Sequence, residues 1–333
     1  MGLLSFSKKG IYCRQGDFYI DPWRKVDKAF ITHAHSDHAR PGSKKYVSTP
    51  DTKAILLHRL GHRFQYTGME FGKTMTVNGV KVSFHPAGHI IGSAQVRVEY
   101  KGEVWVVSGD YKVQDDGISQ PFELIRCNHF ITESTFGLPV YSWRPQEEVV
   151  DEICNWWSQN QKINRPSILT AYSLGKAQRM IYALQSKKLG KIIIHSAIQN
   201  IQKIFQSLGH PFEDCELYDP GLGNRSGNEL YIFPSLNISD KDSQLKNAST
   251  ASASGWMALR RARRWRSIDR GFVLSDHADW KGLNDVIKGT GAENIYVTHG
   301  YQHIFSKWLN ECGYNAVSVK TLYEGEQSES GEA

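Results

Sequence analysis

The chain has 333 residues, 40% hydrophobic and 22% charged, enough apolar content to bury one large or two ordinary cores. No run approaches the roughly 18 to 20 apolar residues of a membrane span, and Met1–Lys9 lacks signal-peptide order, so no membrane partner and a cytoplasmic location are the expectations. The net charge of +6 suits a polyanionic partner without specifying a fold, and the five scattered cysteines, never in C-x-x-C spacing, read as reduced thiols rather than a disulfide or zinc framework.

The first half carries short strand-like runs at 18–21, 28–32, 80–84, 94–100, 104–108 and 129–132, with a helix at 52–60. Polar residues repeatedly follow these runs, where a sheet holds side chains rigidly at a loop-lined rim. From about Gln146 the texture changes to alternating helix and strand. An amphipathic helix at 147–159 precedes a strand at 167–172 and a helix at 176–185; a strand at 191–194 and a helix at 199–208 repeat the unit, which predicts a parallel α/β segment. The polar stretches 222–228 and 239–254 read as loops, a strand-loop-helix-strand passage runs from Gly271 to His299, and the acidic end 324–333 as a disordered tail.

His33-Ala34-His35-Ser36-Asp37-His38 places four potential ligands within six residues, directly after an apolar strand. Imidazoles suit zinc or manganese and the carboxylate can serve a second ion. Two ions about 3.5–4 Å apart would generate a hydroxide and clamp a phosphate for in-line cleavage. A histidine-rich surface loop is the plain alternative, but His89, Asp110 and His299 each also end a strand-like run.

These motifs, His33 to His38, Gly88-His89, Gly109-Asp110 and His299-Gly300, resemble those of the metallo-β-lactamase superfamily. Thr132-Glu133-Ser134-Thr135-Phe136-Gly137, Ser275-Asp276-His277-Ala278-Asp279 and Thr298-His299-Gly300 resemble the added motifs of its β-CASP branch, which acts on nucleic acids. The resemblance implies an αββα sandwich, residues 1–144 and 271–323, interrupted by an α/β cap at 145–270. It implies two divalent ions, zinc or manganese: one on His33, His35 and His89, a second on Asp37, His38 and His299, with Asp110 bridging and Asp37 counted also as catalytic. Asp21 would support the histidine loop, or else cap a turn before Pro22. Glu133 would orient His277 as general acid; a purely structural hydrogen bond is the alternative.

For substrate, Trp256 to Arg266 interleaves arginines, among them Arg260, Arg263 and Arg264, with tryptophan at helical spacing, a phosphate-gripping and base-stacking composition or simply a solvated face. Ser252 and Ser254 resemble the β-CASP segment near the phosphate, and Lys176 sits at a strand-to-helix turn suited to anions or to capping. Phrases such as Gly16-Asp17-Phe18-Tyr19-Ile20-Asp21-Pro22-Trp23 and Leu274-Ser275-Asp276-His277-Ala278-Asp279-Trp280 resemble bacterial ligase-associated DNA damage response exonucleases. That likeness implies DNA with a free end as substrate, and an ATP-dependent DNA ligase and a helicase as partners. An RNA-processing β-CASP ribonuclease is the runner-up, with a small-molecule hydrolase and a non-cutting scaffold behind it.

Overall fold

The computed structural model describes residues 2–221, 227–236, 245–259 and 268–322. As far as it is described, the chain forms two units, one built from residues 2–142 and 277–322, the other from residues within 143–276. In the first unit, β1 (Leu4–Ser7), β2 (Gly10–Cys13), β3 (Phe18–Ile20), β4 (Lys28–Phe30), β5 (Lys45–Ser48) and β6 (Gln65–Gly68) lie side by side in that order. The first pairings are antiparallel, but β3 to β6 run parallel, so the loops after β3 and β4 open at the same edge. Helix α1 (Pro50–Leu60) crosses from β5 to β6; it starts two residues before the expected 52 because Thr49 caps it and Pro50 fits its first turn.

A second sheet begins with β7 (Thr74–Val77), β8 (Val80–Pro86), β9 (Ala94–Tyr100), β10 (Glu103–Val107) and β11 (His129–Thr132). Side chains from both sheets form one core: Ile11, Phe18, Phe30 and Val47 of the first with Val82, Val96, Val107 and Ile131 of the second. Each such side chain contributes about 1.5–3 kcal/mol on burial.

The second unit contains α2 (Gln146–Gln161), β12 (Ser167–Thr170), α3 (Lys176–Gln185), β13 (Ile192–Ile194), α4 (Ser196–Ser207), β14 (Glu216–Leu217), β15 (Leu230–Phe233), β16 (Ser249–Ala253) and β17 (Arg270–Phe272). Its sheet, ordered β14-β13-β15-β12-β16-β17, is parallel throughout. Alternation splits its faces: Leu169, Ile194 and Ile232 enter one core, Ile168, Ile193 and Tyr231 another. Two expectations need correction. Ser249–Ala253, read as part of a loop, is a buried strand between β12 and β17, where its small side chains fit a crowded position that no apolar run announces. Helix α4 starts three residues early because His195 Nδ1 accepts from the Ala197 amide at 3.2 Å. Pairing of β17 with β16 keeps Gly271–Asp276 with this unit.

The chain returns to the first unit as α5 (Trp280–Thr290), β18 (Asn294–Val297), α6 (Gln302–Glu311) and β19 (Asn315–Ser318), completing a seven-stranded sheet ordered β19-β18-β11-β10-β9-β8-β7. Leu283, Ile287, Phe305 and Leu309 of the two helices cover its other face at Val106, Phe130 and Ile295. Strands β10, β11 and β18 are parallel, with Val107 opposite Ile131 and Thr132 opposite Val297. Asp110, Glu133 and His299 therefore leave adjacent strands at one edge, and antiparallel β8–β9 brings the 87–93 loop to it. Among the described residues no helix is long and apolar enough to cross a membrane. The arginine-rich stretch 260–267 and the tail 324–333 lie outside the described residues.

Candidate metal centre

The edge where these loops meet gathers seven buried or half-buried donors. His33, His35, His89 and Asp110 each bring a donor atom within 4.8 Å of the others, and so do Asp37, His38 and His299. Asp110 faces both groups: its Oδ2 lies 3.6 Å from His33 Nε2 and 3.5 Å from His38 Nε2, and its Oδ1 is 4.0 Å from His299 Nε2.

Local backbone chemistry builds this arrangement. Asp21, just past β3 at φ 42°, accepts the Thr32 amide at 2.8 Å and the Thr32 hydroxyl at 2.6 Å, and also binds His38 Nδ1 at 2.7 Å. With its proton committed to Asp21, Thr32 Oγ1 can only accept from His33 Nδ1, 3.0 Å away. At the far end of the chain, Thr298 Oγ1 donates to Thr132 O and lies 3.0 Å from His299 Nδ1. His33 and His299 thus hold an Nδ1 proton against a fixed oxygen and turn the Nε2 lone pair to the centre, the tautomer a metal ligand needs, while His38 commits its Nδ1 proton to Asp21. Gly88 (φ 74°) and Gly109 (φ 56°) are required here: a Cβ would meet Lys112 O at 2.2 Å at the first and Thr32 Oγ1 at 2.6 Å at the second. His299 itself adopts φ 54°, a left-handed conformation that costs a non-glycine residue of order 1–3 kcal/mol and concentrates at functional sites.

The electrostatics fit cations. Burial holds His33 well below the ordinary imidazole pKa, aided by the charge on His38, and burial likewise lowers His299. Burial opposes the charge on His38, but Asp37, Asp110 and Asp21 outweigh it and raise its pKa well above the ordinary value. Asp37 and Asp110 stay ionised: burial pushes both up, and the facing histidines, His38 first, pull both below the usual carboxylate range. Among the described residues His33 Nε2 and Asp110 Oδ1 are fully buried yet have no hydrogen-bond partner. Two lone-pair atoms left bare in a dry site are costly unless something electropositive lies between them, so the donor set fits divalent metal.

Beside the donors, Glu133 is fully buried, accepts the Tyr111 amide at 2.7 Å and grips His277 Nδ1 at 2.8 and 3.0 Å. The Ala278 amide donates to Tyr111 O at 2.6 Å, which fixes the His277 backbone, and the His277 ring lies 4.6 Å from that of His89.

The expected phosphate donors lie in the second unit. Ser252 is buried in β16, and Ser254 Oγ accepts the Trp256 amide at 3.3 Å, capping a short turn. Lys176 is buried at the start of α3, 3.5 Å from Asp276 and over the Tyr172 ring. Arg260, Arg263 and Arg264 lie outside the described residues. Thr32, Thr298 and Ser134, whose hydroxyl reaches Thr298 O at 3.2 Å, went unread as site residues. Their signal was available: threonine directly precedes a ligand-type histidine at both 32–33 and 298–299.

Fold and site together define an α/β protein with a candidate divalent-metal centre. No family model matches the chain. It is 27% identical over 313 residues to a protein named "Probable DNA ligase" of Opitutus terrae, covering 93% of this chain and 30% of that protein. It is 25% identical over 208 residues to the endoribonuclease ysh1 of Aspergillus fumigatus, covering 61% and 22%. It is 28% identical over 200 residues to the cleavage and polyadenylation specificity factor subunit 3-I of Arabidopsis thaliana, covering 50% and 28%. The chain thus spans less than a third of each of these relatives. A protein of unknown function from Enterococcus faecalis V583 shares the fold, with a TM-score of 0.58 at 14% identity over 88% of this chain and 79% of that one.

Proposed function

We propose that the chain is a two-metal phosphodiesterase of the metallo-β-lactamase fold, its second unit a β-CASP cap, that shortens DNA from a free end in repair. The observation that carries this is the pair of donor groups, with Asp110 in the first and 3.5 Å from His38 of the second, and the Glu133–His277 pair beside them. His33, His35 and His89 would hold one cation, Asp37, His38 and His299 the other, and Asp110 both. Bound there, zinc or manganese supplies Lewis acidity toward a phosphoryl oxygen and hydroxide at neutral pH. The protein's own part is positional. Asp21, Thr32 and Thr298 fix the ring tautomers, and buried Glu133 holds the His277 Nδ1 proton, which turns Nε2 outward to protonate the leaving oxygen. As a water-derived oxygen bonds to phosphorus, the His277 Nε2 proton would pass to the leaving oxygen and the P–O bond to the leaving strand would break; solvent would then return a proton to Nε2, the Nδ1 proton staying with Glu133 throughout.

DNA is favoured over RNA because the match to the ligase-named relative runs through 93% of the chain, against 61% and 50% for the RNA-directed names. The same relative carries a like segment within one longer polypeptide, which supports a DNA ligase as working partner, with a helicase in the same setting. RNA cleavage is the second reading, favoured by the name endoribonuclease on the Aspergillus relative. The test is cleavage of matched end-labelled DNA and RNA by metal-loaded protein beside Asp37→Ala. Stepwise loss of DNA alone is expected; cleavage of RNA alone moves the assignment to the second reading.

A further inference from the structure

Outside the donor cluster, the first unit has a cationic rim formed by three backbone segments: the turn between β1 and β2, the stretch after Asp21 and the stretch after His38. Two shallow depressions of about 520 and 430 Å³ share Lys9 and Lys25; Arg24 and Arg40 line the larger, Lys28 and Lys44 the smaller. Lys44 is neutralised by Asp27 at 2.7 Å. Lys9, Arg24 and Lys25 are exposed and, among the described residues, have no ion pair. Asp17 and Asp27 also line the smaller depression, and Asp27 acts on Lys9 as well as Lys44, but the larger is lined by Lys9, Arg24, Lys25 and Arg40 with no carboxylate, a one-signed patch that suits a polyanion.

The rim is also held in place. Trp23 Nε1 donates to Lys8 O at 2.9 Å and the Trp23 amide to Lys9 O at 3.0 Å, which ties the turn to the stretch beyond Asp21. Gly10 (φ 141°) lets that turn seat on Pro22, whose Cα would stand 2.9 Å from a Cβ there. The Lys25 stem lies on Gly42, where a Cβ would come within 2.8 Å of its Cγ. Tyr46 Oη donates to Arg40 O at 2.7 Å and accepts the Ser43 amide at 2.9 Å, fixing the third segment, and the Arg40 guanidinium donates to Leu322 O. Cations whose backbones are already ordered lose less entropy on binding. Asp21 and His38 are joined at 2.7 Å, and Arg24 follows Asp21 by three residues, a backbone reach of at most about 10 Å. The rim therefore starts beside the metal loop.

We propose that Lys9, Arg24 and Lys25 form a track for the sugar-phosphate backbone of a nucleic-acid strand entering or leaving the metal centre; the idea rests on the phosphodiesterase reading. The track reads no sequence. Its one tryptophan, Trp23, is buried with its indole N–H committed, so the contacts go to phosphate.

The experiment is fluorescence anisotropy of a labelled 20-nucleotide single strand, as DNA and as RNA, with the full chain in EDTA across a salt series. The triple variant Lys9→Gln/Arg24→Gln/Lys25→Gln is compared with Lys81→Gln/Lys281→Gln/Lys307→Gln, an equal charge change at exposed lysines elsewhere on the same unit. Circular dichroism confirms folding of each. Losing three phosphate contacts should flatten the slope of log K against log salt by about 2, since each single-strand contact contributes about 0.7. The control triple should retain the wild-type slope. An unchanged slope in the first triple, or equal flattening in both, overturns the track. Wild-type protein that binds with a steep slope yet cuts neither polymer sinks the phosphodiesterase reading and leaves the track standing.

Discussion

Asp21→Ala is the most informative single perturbation, because one buried carboxylate holds both the Thr32 backbone and the His38 ring. The substitution removes three hydrogen bonds of 2.6–2.8 Å, two of them to a nitrogen, inside a site that is 1% exposed at Asp21. Removing one partner of a buried ion pair costs about 3–5 kcal/mol, and the stranded Thr32 amide costs about 1–3 kcal/mol. The two overlap, so a loss of about 4 kcal/mol is expected, a large share of a typical domain's total stability. Asp21→Asn keeps an acceptor for the Thr32 amide and should lose about half as much, while still misorienting His38 and weakening metal binding roughly 10- to 100-fold. Urea unfolding of metal-stripped protein measures the first quantity and competition with a chromogenic chelator the second. A loss below about 1 kcal/mol for Asp21→Ala would mean that the loop is held by something other than this carboxylate.

Four further outcomes follow from the same geometry. Glu133→Gln should place an amide N–H against His277 Nδ1 and lower the cleavage rate about 10²- to 10³-fold with metal content unchanged, as should His277→Ala; a normal rate with either removes the pair from the chemistry. Because His38 is held protonated near neutral pH in the metal-free chain, divalent metal must displace a proton there, so calorimetry in buffers of different ionisation enthalpy should show release of about one proton and affinity should rise with pH. Burial pushes the thiols of Cys13 and Cys215 up to about 11 and of Cys127 to about 12. The folded chain thus keeps protons that the unfolded chain gives up above its thiol pKa of about 9, so this stabilisation is complete below pH 9 and is lost as pH rises toward 11–12; alkylation at pH 8 should reach exposed Cys312 first. Phe30→Ala should cost about 3–5 kcal/mol, since its ring packs on Phe18 at 4.6 Å and across to Phe84 at 6.1 Å, and a cost under 1 kcal/mol would contradict the shared core.

The donor residues were legible because ligand chemistry is local: four of them sit within six residues, and the rest each end an apolar run. The α/β alternation after Gln146 was legible for a similar reason, since helical and extended periodicities differ over short windows. Strand β16 was not, because Ser249–Ala253 is buried by its neighbours rather than by its own hydrophobicity. Edge strands such as β1 and β6 carry too few apolar residues to signal themselves. The roles of Thr32 and Thr298 depend on which proton each hydroxyl has already spent, and that is visible only once Asp21 and Thr132 are placed beside them. The cationic rim is likewise assembled from segments near residues 9, 24 and 40 that only the strand pairing brings together.

The central claim, that this chain is a metal-dependent phosphodiesterase acting on DNA ends, is tested most directly by incubating metal-loaded protein with end-labelled DNA and RNA of one sequence beside Asp37→Ala. A ladder of shortened DNA that requires metal and disappears with Asp37→Ala is expected. Intact DNA and RNA with a fully metallated protein would contradict it.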